Sequence, residues 1–121
     1  MDINPDPEEN RLRQGAAHSV SFSVIVPVKD DAENLAECLG ALYASDHAPG
    51  EVIVVDDGSS DHSAEIARRC GARVVELEKS VGAGGARNAG ASIARNEHLC
   101  FVDADVAVQP SALGILASNF I

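Results

Sequence analysis

The sequence predicts an α/β fold in which helices cover a doubly wound parallel sheet of about four strands, in the order 3-2-1-4. Short apolar stretches rich in Val and Ile alternate with segments whose apolar residues recur at helical spacing. Strands that are apolar on both faces are typical of a parallel sheet with helices on each side. The alternation also implies right-handed crossovers, and ligands bind such sheets where the strand order reverses, here between strands one and four.

The first predicted strand is Phe22 to Val28, with the sequence FSVIVPV. Pro27 is expected to close this strand, because proline has no N–H to donate to a central ladder. A helix follows from Asp31, and its apolar residues fall on one stripe. That stripe consists of Leu35, Leu39, Leu42 and Tyr43.

The second predicted strand, residues 51–57, has the sequence EVIVVDD and ends at the turn-forming residues Gly-Ser-Ser. Asp61 is expected to cap the N-terminus of the helix that follows. The apolar face of this helix carries Ile66 and Cys70, and Gly71 ends it.

The second half of the chain repeats the alternation of strand and helix. Residues 72–77 are predicted to form the third strand, and residues 81–85, VGAGG, a glycine-rich loop. Residues 86–95 then form a helix of small residues suited to close packing. The fourth strand is predicted over residues 98–105, HLCFVDAD, and a last helix begins with Pro110 in its first turn.

The composition limits the classes of partner. Residues 1–20 are acidic, with two prolines and no apolar period, so we expect a flexible tail before a domain of residues 21–121. The net charge of −10 excludes nucleic acid and anionic lipid surfaces as expected partners. The acidic start does not resemble a signal peptide, and no apolar run approaches the roughly 20 residues that span a bilayer.

The cysteines indicate the compartment. Cys38, Cys70 and Cys100 are odd in number and widely spaced, which is typical of small buried hydrophobic residues in a reducing cytosol. We therefore expect a cytoplasmic protein. A longer parent chain could lie at the cytoplasmic face of a membrane.

Acidic residues gather where the predicted strands end. Since the carboxyl ends of parallel strands lie on one rim, we expect six aspartates to converge on one crevice. They are Asp30, Asp31, Asp56, Asp57, Asp103 and Asp105. Two like charges at about 4 Å repel by about 4 kcal/mol at an effective dielectric constant near 20, a cost that a divalent cation would offset.

Asp103 and Asp105 are the candidate ligands for that cation. Carboxylate oxygens suit Mg²⁺ or Mn²⁺, and phosphate oxygens of a substrate would complete the coordination shell. The glycine-rich loop and Arg87 favour the same anionic ligand, because glycine allows close backbone approach and arginine pairs with phosphate. Structural alternatives remain open: the acids at 30–31 and 56–57 could serve helix starts and turns, and Arg87 could pair with a rim aspartate.

With these residues assembled, the chain resembles the nucleotide-sugar-binding half of a family 2 glycosyltransferase with the GT-A, Rossmann-like fold. The matching stretches are SVIVPVKDDAENLAECLGAL, EVIVVDDGSSDHS, GAGGARNAG and CFVDADV, which together cover about residues 22 to 120. The resemblance implies a UDP- or GDP-sugar donor, an acceptor of unknown identity and transfer with inversion by direct displacement.

The resemblance also assigns roles to residues. It implies that Pro27, Val28 and the loop with Asp30 border the base, and that Asp57 accepts a hydrogen bond from the base ring. Gly84 and Arg87 would lie near the nucleotide. Asp103 would lie by the ribose and the metal, and Asp105 would be the main metal ligand of a DXD motif. Lys29 and Asp30 depart from the aromatic residue and Asn of many family members.

The family's acceptor-binding half is expected to lie beyond Ile121, together with the carboxylate that deprotonates the acceptor. We therefore expect a donor-binding fragment that contains no catalytic residue and is inactive alone. Strand four would then be an exposed edge, and the last helix would expose an apolar stripe of Leu113, Leu116 and Phe120. Either surface could mediate self-association into a homo-oligomer.

Two other classes remain as alternatives. A dinucleotide-dependent oxidoreductase would use GAGGAR after a strand, with Asp103 about twenty residues on, but Arg87 occupies the third glycine position. A metal-binding, receiver-like module would also carry an acidic rim. It would bind divalent ions without any dependence on a nucleotide.

Overall fold

The computed structural model describes residues 20–120, so the predicted tail, apart from Val20, lies outside the described residues. The elements are β1 (Phe22–Val28), α1 (Ala32–Tyr43), β2 (Glu51–Asp56), α2 (Ser63–Arg69), β3 (Arg73–Glu76), α3 (Gly82–Ile93), β4 (His98–Phe101) and α4 (Ala112–Ser118). Val20 is buried, and its carbonyl oxygen bonds His47 Nε2 at 2.7 Å, which places this residue in the folded domain. No helix among residues 20–120 is long and apolar enough to cross a membrane.

The four strands form one parallel sheet in the order β3-β2-β1-β4, which confirms the predicted topology. β1 is central, and its side chains alternate between two apolar layers. On one side Val24 and Val26 pack with α1, whose Leu35 and Leu39 are fully buried. On the other side Ile25 belongs to the layer that includes Ile53, Val55 and Ala86.

Pro27 lies inside β1 rather than closing it, and the hydrogen-bond pattern explains why. The Val28 carbonyl accepts a hydrogen bond from the Asp57 N–H at 2.9 Å, so the backbone groups of Val28 point toward β2. The Ile25 carbonyl accepts one from the Val102 N–H at 3.0 Å, so the backbone groups of Ile25 point toward β4. Backbone groups of successive residues point to opposite sides of a strand, so the Pro27 nitrogen, like the backbone groups of Ile25, points toward the β4 side. The paired register with β4 ends at Ile25, and the missing N–H of Pro27 therefore disrupts no ladder.

The glycine-rich stretch differs from its predicted structure. It was expected as a loop, but α3 begins at Gly82 and includes most of it. Val81 and Gly82 N–H both donate to the Asp57 carboxylate, which fixes the helix start. Because Asp57, at the end of β2, binds the first N–H groups of α3, the helix begins earlier than the local sequence indicates.

Other expected boundaries also shift. β4 ends at Phe101, and Asp103 and Asp105 lie in a turn closed by the bond from Val106 N–H to the Asp103 carbonyl. Pro110 precedes α4 instead of lying in its first turn. α2 begins at Ser63 after His62, and Asp61 still accepts a bond from the Ser63 N–H at 3.0 Å.

Three predictions about burial are wrong. Tyr43, expected on the buried stripe of α1, is exposed at the end of that helix. Leu113, expected on an exposed stripe, is only 1% exposed and packs with the α1 layer, whereas Leu116 and Phe120 are exposed as predicted. Cys38 is buried, but the other two cysteines, Cys70 and Cys100, are half-buried.

Candidate functional site

A cavity of about 340 Å³ lies at the carboxyl ends of β1 and β2, against the N-terminus of α3. Its lining combines apolar walls from β1 and α3 with three charged side chains. The lining residues are Pro27, Val28, Lys29, Asp57, Ser80, Gly82, Ala83, Ala86 and Asp103. This is the end of the sheet at which α/β folds bind ligands.

Asp57 is the buried carboxylate of this cavity. Its Oδ1 accepts a bond from the Val81 N–H at 2.7 Å, and its Oδ2 accepts from the Ser80 hydroxyl at 2.9 Å and the Gly82 N–H at 3.0 Å. The bond from Val81 is the largest cause of a lowered Asp57 pKa, and it prevails, with the other donors, over burial, which acts in the opposite direction. Asp57 is therefore ionised at neutral pH and tethers α3 to β2.

Asp30, Asp31 and Asp56 bond to nearby protein groups and do not line the cavity. Asp56 is buried and accepts from the Ser59 N–H at 3.0 Å, and Asp30 accepts from the Ser60 N–H at 2.6 Å. Asp30 has a φ of 52°, a left-handed conformation that Asp tolerates better than most residues. Asp31 accepts a bond from the Asn34 side chain at 2.9 Å. Together with Asp57, four of the six rim carboxylates are therefore stabilised by hydrogen-bond donors of the protein without a cation.

Asp103 forms the opposite side of the cavity and pairs with Arg87. The Arg87 guanidinium lies 3.5 Å from Asp103 Oδ1, and both side chains are substantially exposed to solvent. Arg87 does not line the main cavity. It borders a second, more apolar depression along β4 that includes Phe101, Val106 and Leu116. The structural alternative for Arg87, an ion pair with a rim aspartate, is therefore observed.

Asp105 faces a different space from Asp103. It lines a small cleft of about 50 Å³ with Asn34, Glu37 and Cys38 of α1. Burial raises the pKa of the Cys38 thiol to about 11, and the charges of Asp105 and Asp103 add to the rise. The two carboxylates therefore both lie near this thiol, on either side of the turn.

The carboxylates at this site could bind a divalent cation only if a bound ligand supplied further oxygen atoms. Among residues 20–120, no group of three or more Asp, Glu, His and Cys side chains is placed to hold a metal. Asp103 lines the cavity, and Asp105 follows in the same turn but faces the cleft beside α1. Both side chains are exposed, and their carboxylate oxygens suit Mg²⁺ or Mn²⁺ shared with phosphate oxygens and water.

The cavity therefore unites part of the predicted site. Pro27, Val28, Asp57 and Asp103 line it. Asp30, Gly84, Arg87 and Asp105 do not. The roles of all these residues toward a nucleotide stay predictions. Sequence reasoning did not name Lys29, Ser80 and Ala86 as site residues, and it included Gly82 and Ala83 only as members of the glycine-rich stretch 81–85. Lys29 directly follows β1, and Ser80 precedes the glycine-rich stretch, so their positions were the available signals.

Comparison with known proteins gives a consistent result. The family model described as Glycosyl transferase family 2 matches residues 23–121. Glycosyltransferase GlyG of Streptococcus pneumoniae is 35% identical over 103 residues, which cover 78% of this chain and 33% of GlyG.

Two solved structures are similar as well. S. aureus TarS 1-349 in complex with UDP-GlcNAc is 34% identical, with a TM-score of 0.70 over 82% of this chain. The mannosyltransferase PcManGT from Pyrobaculum calidifontis, in complex with GDP-Man and Mn²⁺, is 28% identical, with a TM-score of 0.72 over 77% of this chain. The match covers 30% of each of these chains, so this chain spans about a third of the length of its relatives.

Proposed function

The chain belongs to glycosyl transferase family 2, and from this membership we propose that it binds the donor in transfer of a sugar from a UDP- or GDP-sugar to an acceptor. Support comes from two similar structures, of which TarS is complexed with UDP-GlcNAc and PcManGT with GDP-Man and Mn²⁺. The family membership sets aside the oxidoreductase and receiver-like alternatives. Inversion by direct displacement is part of the proposal.

The observation that carries the proposal is the cavity between Asp57 and Asp103. Asp57 is a buried, ionised hydrogen-bond acceptor, which suits the imide N–H of uracil or guanine. Pro27 and Val28 offer an apolar wall for the base. Asp103, at the other side, is exposed and suits a ribose hydroxyl and a cation.

Asp103 and Asp105 would hold the divalent cation together with the diphosphate of the donor. When bound, such a cation acts as a Lewis acid that stabilises the charge of the departing diphosphate. Arg87 neutralises part of the charge of Asp103 before any ligand arrives. Gly84 in the first turn of α3 faces open space, so its backbone is accessible to a phosphate.

The test is a calorimetric titration of the chain with UDP and GDP, with and without Mn²⁺. We expect Mn²⁺ to strengthen binding to the wild type, and Asp105→Asn to abolish that dependence on Mn²⁺ while the fold is kept. Loss of one charge-assisted contact reduces affinity by about tenfold or more. Removal of a repelling charge should leave the melting temperature of the ligand-free protein unchanged or higher.

Glu97→Gln is the matched control, because Glu97 is exposed in the α3–β4 connection, at the opposite end of the sheet. It removes one negative charge and should leave nucleotide affinity unchanged. Equal affinity of Asp105→Asn and wild type for both nucleotides in the presence of Mn²⁺ would contradict the metal assignment. Absence of nucleotide binding by the wild type would contradict the proposed function.

A further inference from the structure

Lys29 is a charged residue of the cavity that the predicted site did not include. Its side chain lines the cavity and is exposed, and it forms no hydrogen bond or ion pair with any of residues 20–120. Arg87, in contrast, is engaged by Asp103. The ammonium group of Lys29 is therefore available to a ligand in the cavity.

The register of the sheet places Lys29 beside Asp57. Val28 of β1 pairs with Asp56 of β2, and the Asp57 N–H donates to the Val28 carbonyl at 2.9 Å. Lys29 and Asp57 directly follow these two paired strands, and neighbouring strands of a sheet lie about 5 Å apart. The positive charge of Lys29 also contributes, after the loop donors led by Val81, to the low pKa of Asp57. An acceptor and a donor therefore stand side by side at one end of the cavity.

This pair matches one edge of a nucleobase. An ionised carboxylate has about four acceptor positions, and Asp57 uses three for Ser80, Val81 and Gly82. The remaining position can accept an imide N–H, which lies next to the keto oxygen O4 in uracil and O6 in guanine, where cytosine and adenine carry an amino group. An ammonium group is a donor without acceptor capacity, so it complements that oxygen. In cytosine and adenine the corresponding ring nitrogen carries a lone pair, which the carboxylate repels.

We propose that Lys29 donates a hydrogen bond to the keto oxygen beside the imide N–H, so that Lys29 and Asp57 together select uracil or guanine. The proposal rests on the proposed function, because it needs a nucleotide in this cavity. It makes Lys29 a specificity-determining residue at a position where many family members carry an aromatic side chain. The competing role for Lys29 is a contact to phosphate. The base is the favoured partner because Lys29 lies beside Asp57, the proposed base contact, whereas Asp103, the proposed cation ligand, pairs with Arg87 elsewhere on the rim.

The experiment compares Lys29→Met with wild type for uridine, UDP and CDP, with Mn²⁺ present and with uridine binding followed by NMR titration. Uridine has no phosphate, so a base contact and a phosphate contact give different results. We expect Lys29→Met to lower the affinity for uridine and for UDP by the same factor, about five- to tenfold, which corresponds to the loss of one charged hydrogen bond at a partly exposed site. The preference of the wild type for UDP over CDP should fall by a similar factor.

Two further variants complete the design. Lys29→Arg keeps a cationic donor and should restore most of the affinity for uridine. Lys79→Met removes the same charge from an exposed residue that does not line the cavity, and should change neither ligand's affinity.

The outcomes separate the proposals. Loss of UDP affinity with unchanged uridine affinity in Lys29→Met would overturn the base contact in favour of a phosphate contact. Unchanged affinity for both would overturn any contact. Failure of the wild type to bind uridine, UDP or GDP would overturn the proposed function, and the role of Lys29 with it.

Discussion

Asp57 illustrates how a single side chain can serve both the fold and the site. It is 4% exposed and still ionised, because donors of residues 80–82 surround its oxygens. Its neighbour Asp56 is also a buried aspartate, but it bonds within its own turn to the Ser59 N–H. The sequence predicted that Asp57 belongs to the site, but its partners lie 23 to 25 residues away along the chain. Only the tertiary structure identifies them.

The ionisation of Asp57 should make stability depend on pH. Its pKa in the folded chain lies below the ordinary value of 3.8, so its contribution is fully present above about pH 4 and is lost as the pH falls through the folded-state pKa. We expect Asp57→Asn to destabilise the chain at pH 7 by about 1–3 kcal/mol, because the amide accepts fewer of the loop donors. Below pH 4 the difference between variant and wild type should shrink.

Thermal unfolding from pH 3 to pH 7 measures this effect. Asp46→Asn is the control, because Asp46 is exposed and its side chain makes no hydrogen bond with residues 20–120. Asp61 and Glu51 also have a lowered pKa, so part of the acid sensitivity of the wild type should persist in Asp57→Asn. Parallel pH profiles for Asp57→Asn and wild type would show that Asp57 does not contribute in this way.

At the scale of elements, α3 connects the core to the cavity. Gly82 and Ala83 in its first turn line the cavity beside Ser80, which precedes the helix, and its later turns pack on β1 and β2. A Cβ atom on Gly90 would lie 2.5 Å from Ile25 Cγ2 and 3.0 Å from Val55 Cγ2. Glycine therefore allows the helix to approach the sheet closely.

We expect Gly90→Ala to destabilise the chain by about 1–3 kcal/mol, since the added methyl must displace the helix from the sheet. Gly84→Ala is the matched variant, because it lies in the same helix and its Cβ would meet no atom within 4 Å. There the higher helix propensity of Ala should leave stability unchanged or raise it by up to about 1 kcal/mol. Urea unfolding of both variants gives the comparison, and equal stability of the two would contradict close packing at Gly90.

The helices and strands also show which features of the fold could be predicted from the sequence. The apolar stretches of β1 and β2 predicted buried strands, because burial on both faces leaves a clear pattern. The order of the strands was predicted from the usual arrangement of a doubly wound sheet and is confirmed. Side-chain direction in the connections was not predictable. The turn after β4 directs Asp105 to a cleft beside α1, although the sequence suggested one crevice for six aspartates. Leu113 is buried because α4 packs on the α1 layer, a contact that periodicity alone does not reveal.

At the scale of the whole molecule, the sheet has an apolar edge at β4, and the chain carries a strongly negative net charge. β4 is an edge strand of the sheet, and Leu99 and Phe101 on it are exposed, at 37% and 47%. Val106 after the strand and Leu116 of α4 extend this apolar surface. An exposed edge with unpaired N–H and C=O groups favours pairing with another strand. The net charge of −10 opposes the approach of a second copy of the chain.

We therefore expect the chain to self-associate through β4, and the association to strengthen with salt. Raising the ionic strength from 0.1 M to 1 M shortens the Debye length from about 10 Å to about 3 Å, which weakens the repulsion between copies and leaves the apolar contact intact. Light scattering at both salt concentrations measures the effect. Phe101→Lys should abolish association, whereas Ile115→Lys on α4 should preserve it if β4 is the contact.

Glu78→Gln controls for charge, because it also raises the net charge by one and lies before α3, away from β4. Since it reduces the repulsion without altering the apolar edge, it should leave association unchanged or slightly stronger. Loss of association in Ile115→Lys alone would move the contact to α4. A monomer at high protein concentration and 1 M salt would refute self-association, since screening should by then have removed most of the electrostatic barrier.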